Sequence, residues 1–154
     1  MIMNRIFSGA LTGAVVSRFL TDLSRDRDGT ICKLLSIARD PPVVARSLID
    51  NARSKLIDTY NIDYYKIYVE NGSVCILLKT SSDPESVLKG IISDIENLFR
   101  SKLNSVFDMY NIPKFSFSGS VIDGDIVFTI PVTDRILSCI GDMLPKEYRR
   151  DSNE

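Results

Sequence analysis

The chain reads as an α+β fold: an N-terminal helix, two tandem αββ units (a helix followed by a β-hairpin) and a C-terminal helix. Three observations predict it. Asp-Pro stands ahead of two apolar-striped segments, at Asp40-Pro41 and Asp83-Pro84; Asp is a favoured helix N-cap and Pro suits the first helical turn. Asn71-Gly72 and Asp123-Gly124 each divide a pair of alternating apolar runs, the strongest short hairpin signal because both turn residues must take positive φ. Finally, Arg53-Ser54-Lys55-Leu56 is echoed by Arg100-Ser101-Lys102-Leu103, and Asp58-Thr59-Tyr60-Asn61-Ile62 by Asp108-Met109-Tyr110-Asn111-Ile112. The spacing between copies grows from the first match to the second, which places a short insertion in the second helix.

The first element is expected as a helix over about residues 4–23, with Ile6, Phe7, Leu11, Val15, Phe19 and Leu23 near helical spacing. Its uncharged run from Ile6 to Ser17 is too short for a bilayer, which needs about 20 residues, and lacks a signal-peptide cleavage site. Small residues recur every four positions at Gly9 and Gly13, allowing close approach to a partner helix. Ser24 to Gly29 is expected to end the helix as a solvated turn; Asp26-x-Asp28-Gly29 has too few ligands for a calcium loop. A short helical turn, Ile31 to Ala38, then leads to Asp40-Pro41.

The repeats are expected at about 40–80 and 83–132. In the first, Val44, Leu48, Ala52, Leu56 and Tyr60 read as one helix face, and the two-residue turn pairs Val69 with Val74, Ile67 with Ile76 and Tyr65 with Leu78. In the second, a longer helix carries Leu88, Ile91, Ile95, Leu98, Phe99, Leu103 and Val106 to Tyr110, spanning about 40 Å. Its hairpin pairs Val121 with Ile126, Phe117 with Ile130 and Phe115 with Val132, and sets Gly119 against Phe128. Ser116, Ser118 and Ser120 mark the polar face. A last helix, about 134–144, is capped by Thr133 or Asp134 and stopped by Pro145. The tail from Lys146 to Glu154 reads as frayed.

At 154 residues the chain suits one domain, 1–154, able to bury a core without staples. Nineteen basic and 20 acidic side chains give a net charge of −1, which argues against a general polyanion binder. Cys32, Cys75 and Cys139 are odd in number and widely spaced, and are expected as reduced thiols in a cytoplasmic setting. Asn71-Gly72-Ser73 fits a glycosylation sequon, but its turn role comes first.

Catalytic signals are scarce. The chain has no histidine, the commonest acid/base group and metal ligand. No glycine-rich loop has phosphate-binding spacing, and no cysteine or carboxylate cluster has metal-ligand spacing. We therefore expect no enzyme activity, no cofactor and no metal. Asp58 and Asp108 sit at equivalent helix ends, where an anion is disfavoured, so they read as punctuation rather than a paired site.

What remains is surplus apolar surface, which usually becomes an interface. The candidate contacts are Phe7, Leu11, Val15, Phe19, Leu98 and Phe99, and the expected partners are other protein subunits, in a homo- or hetero-oligomer. The alternative is a nucleic-acid accessory role in which Tyr64, Lys66 and Tyr68, on one strand face, stack on single-stranded bases. The run from Val44 to Ile57, the strands from Tyr65 to Leu78 and the exit turn Ser81-Ser82-Asp83-Pro84 resemble the small wedge subunits of contractile phage-tail baseplates. That resemblance implies a non-enzymatic virion component working by protein–protein contacts.

Overall fold

A computed structural model describes residues 13–100, 104–112, 116–141 and 146–150. The expectations for residues 4–12, 101–103, Phe115, 142–145 and 151–154 lie outside these. Helices α1 (Gly13–Arg25) and α2 (Arg27–Arg39) come first, followed by α3 (Val43–Tyr60), β1 (Ile62–Glu70) and β2 (Ser73–Thr80). Then come α4 (Pro84–Leu98), α5 (Asn104–Met109), β3 (Ser118–Ile122), β4 (Asp125–Pro131), α6 (Asp134–Ile140) and β5 (Lys146–Arg149). The strands form one antiparallel sheet in the order β3-β4-β2-β1-β5. The protein is thus mixed helix and antiparallel sheet, as the patterning predicts.

Local chemistry accounts for the turns. Asn71 and Gly72 have φ of 51° and 75°, and Asp123 and Gly124 have 53° and 82°, the doubly positive geometry that matches hairpin twist. The first register is the expected one, with Val69, Ile67 and Tyr65 opposite Val74, Ile76 and Leu78. In the second hairpin Val121 faces Ile126 and Gly119 faces Phe128; Phe117 precedes β3, its ring 6.3 Å from that of Phe128. A Cβ on Gly119 would lie 2.8 Å from the Phe128 ring and 2.9 Å from Leu88. That position is glycine because α4 and the Phe128 ring close over it. Asn61 and Asn111 both adopt left-handed φ, 54° and 55°, and end their helices there.

The helix starts follow two different rules. Asp83 caps α4 by accepting from the Ser86 amide at 3.1 Å, with Pro84 in the first turn; Thr133 caps α6 through the Ile136 amide at 3.4 Å. At the first Asp-Pro the expected cap is not made. Asp40 ends α2, and Pro42 holds the N-cap position of α3 with no side-chain bond. The turn expected to be solvated is also structured. Asp26 caps α2 through the Gly29 amide and accepts from Arg135 Nη1 at 2.7 Å, while Asp28 accepts from the Thr133 hydroxyl at 2.7 Å. Both carboxylates therefore tie α2 to the start of α6.

Three further differences matter. The long helix expected from Pro84 to Tyr110 is α helix only to Leu98 and takes a π turn at Phe99 and Arg100. The rings of Phe99 and Phe107 meet edge to face at 5.9 Å, whereas eight residues of straight helix would separate them by about 12 Å. The tail expected to fray contributes β5, which pairs Lys146 to Arg149 with Ile67 to Tyr64. Finally, Cys32 and Cys139 form a disulfide (S–S 2.00 Å) joining α2 to α6; only Cys75 is the buried free thiol that the spacing suggested.

Two apolar clusters result. Leu88 and Ile91 of α4 pack on Ile126 and Phe128 of β4. Leu20 and Leu23 of α1 pack on Ile112, with Phe19, Ile31, Phe107 and Tyr110 around them. The one sequence segment from Pro84 to Ile112 thus serves both clusters.

Candidate interaction surface

Helix α3 has eighteen residues and none of them is buried. Its seating is light: Ala45, Ala52, Leu56, Ile57 and Tyr60 are only half-buried. The firmest attachment is at its C-terminal end, where the Tyr60 hydroxyl donates to Asp94 of α4 and the Thr80 hydroxyl donates to the Tyr60 carbonyl at 3.1 Å. Burial, reinforced by the Asp94 carboxylate, raises the Tyr60 hydroxyl above its ordinary pKa, so it stays a neutral donor. A cleft of about 340 Å³ separates α3 from the β1–β5 edge, lined in part by Arg53, Ile57, Tyr65 and Tyr148.

The N-terminal part of this helix is apolar and open. Val43 is 79% exposed, Val44 88%, Leu48 53% and Ile49 40%, and Leu34 and Ile37 of α2 add 42% and 50%. Among the described residues, six of the ten exposed large hydrophobic ones thus fall between positions 34 and 49, a concentration rather than even scatter. The charges beside it do little to hold it. The Arg46–Asp40 and Arg53–Asp50 pairs, at 3.8 and 3.5 Å, are solvent-exposed and such pairs contribute about 0–1 kcal/mol.

Spacing explains why Val44, Leu48, Ala52, Leu56 and Tyr60 do not share one face. Each step of four residues advances about 40° around a helix of 3.6 residues per turn. Over four such steps the stripe crosses to the opposite side, so Val44 and Leu48 point outward while Ala52, Leu56 and Tyr60 turn inward. Leu34, Ile37, Val43 and Ile49 were not anticipated. The signal for Leu34 and Ile37 lay in α2 being a full helix rather than a short turn.

The anticipated contact residues fall elsewhere. Phe7 and Leu11 lie outside the described residues, and Val15 lies in α1 with its side chain outside them. Phe19 packs in the α1 cluster, Phe99 stacks on Phe107, and Leu98 is half-buried.

Tyr64, Lys66 and Tyr68 do share the outward sheet face, opposite Lys79, Leu77 and Cys75. Much of this platform is already engaged. The Arg149 guanidinium lies 4.8 Å from the Tyr64 ring centre and Lys66 Nζ 5.9 Å from that of Tyr68. Burial, then a hydrogen bond to Glu147, raises the Tyr64 hydroxyl's pKa.

Among the described residues no three cysteine or carboxylate side chains gather as metal ligands, and no helix is long and apolar enough to cross a membrane. Comparison with protein-family models, curated proteins and solved structures finds no match for this chain.

Proposed function

We propose that the chain is a non-enzymatic assembly subunit that binds other protein subunits through the elbow of α2 and α3. The observation that carries this reading is an eighteen-residue helix with no buried residue and with four exposed large apolar side chains, Val43, Val44, Leu48 and Ile49, in its first seven residues. A helix of this kind is stabilised by packing, since propensity alone leaves short helices marginal in water.

The likeness of Val44 to Ile57 and the following hairpin to baseplate wedge subunits gives the reading its particular form, a component of a virion assembly. We also infer that the two helix–hairpin units are a tandem duplication. Support comes from the paired left-handed asparagines, the paired turns of like φ and the echoed segments. The nucleic-acid alternative gains no observation of its own, because Arg149 and Lys66 already lie against the rings that bases would stack on.

Light scattering on the purified chain tests the proposal. Wild type should run above 17.3 kDa, and the Val44→Glu/Leu48→Glu double variant should return to that mass. A wild-type chain that stays at monomer mass, and captures nothing the double variant fails to capture, overturns it.

A further inference from the structure

Between the apolar face of the sheet, α4 and the α2–α6 pair lies a half-open cavity of about 890 Å³. Ile76 and Leu78 line it from the sheet, Ile91 and Ile95 from α4, Leu35 from α2 and Ile136 from α6. The described lining residues are aliphatic or aromatic apart from two, Glu96 and Asn104. It exists because α4 closes on β4 while α3 leaves the rest of that sheet face only half-covered. The Cys32–Cys139 disulfide clamps the two helices that form the opposite wall.

Because the cavity is half-open, water meets a lining that is almost wholly apolar. An apolar occupant would remove that surface from water at a gain of about 25 cal/mol per Å². The cavity's volume lies in the range of small-molecule sites, which are mostly apolar with a few polar groups that fix orientation.

We propose that this cavity binds a long-chain aliphatic molecule with an uncharged, hydrogen-bond-donating head, such as a fatty alcohol. The chain would lie along Ile76, Ile91 and Ile95. The head follows from the sign of the charged lining: Glu96, itself exposed to solvent, accepts a hydrogen bond from a hydroxyl and repels a carboxylate, and no Lys or Arg stands among the described lining residues. A fatty acid is thereby disfavoured. This proposal is independent of the assembly reading and concerns a different face.

The test is fluorescence displacement on the purified full chain, with N-phenylnaphthylamine as the reporter. Hexadecanol should displace it at micromolar concentration and hexadecanoate at least about tenfold more weakly, a difference of about 1.4 kcal/mol. Glu96→Gln should narrow that gap. Ile95→Phe and Val74→Phe, each verified as folded by circular dichroism, should weaken reporter binding by filling the cavity. Failure of the reporter to bind, or undiminished binding in the two filled variants, overturns the site. Equal competition by the alcohol and the acid overturns the assignment of the head group.

Discussion

Gly119 shows how one residue can be fixed by its neighbours rather than by its own backbone. A methyl there meets the Phe128 ring and Leu88 at under 3 Å, and overpacking of this kind costs about 1–3 kcal/mol. Gly119→Ala should lower the urea midpoint accordingly, and an unchanged midpoint would mean the α4–β4 contact yields freely. Charge acts at the same scale. The hydrogen bond from Arg135 holds the Asp26 carboxyl below its ordinary value of 3.8, and that from Thr133 does the same for Asp28. A depressed folded-state value means stability that is fully present above 3.8 and is lost as pH falls through the lower folded-state value. Thermal melts below pH 4 should therefore fall more steeply for wild type than for Asp26→Asn/Asp28→Asn. Residues whose job is local, such as Asn61, Asn71 and Asp123, were legible in the sequence because positive φ selects for them. Asp26 was not, because its partner Arg135 lies 109 positions away and nothing in its neighbourhood announces it.

Elements were legible where period and turn agreed. β1, β2 and β4 followed from alternation and from two-residue turns that admit one register. Spacing alone misled for α3, because a strict four-residue stripe winds about 40° per step and cannot be on the core side at both Val44 and Tyr60. It also misled for α4, whose apolar positions continue to Tyr110 because two separate clusters use them. β5 was invisible because charged Lys146, Glu147 and Arg149 read as tail; on an edge strand such charges are what limits further pairing. If the outward face of α3 makes no internal contact, Val44→Glu/Leu48→Glu should leave the urea midpoint of the monomer within about 0.5 kcal/mol of wild type. The disulfide belongs to this scale too. It joins α2 and α6 across a sequence separation of 107, and closing a loop that long restricts the unfolded chain by up to about 4.7 kcal/mol. Cys32→Ser, or reductant on wild type, should lower stability by an amount of that order; equal midpoints with and without reductant would show that the bond adds nothing.

For the whole molecule, the sheet carries more apolar surface than the described helices cover. α4 seals the β4 side, α1 and α5 build a second cluster, and α3 is left half-seated with its other face in solvent. The α+β class is readable in the sequence, because it needs only the order and periods of the elements. The place of the interaction surface was not, since it depends on which of several apolar faces the tertiary packing leaves open. Amide hydrogen exchange, compared between dilute monomer and assembled protein, tests the central claim most directly. Exchange in Leu34 to Ile49 should slow on assembly while β2 and β4 keep their rates; unchanged exchange across that elbow, with protection appearing elsewhere, would contradict it.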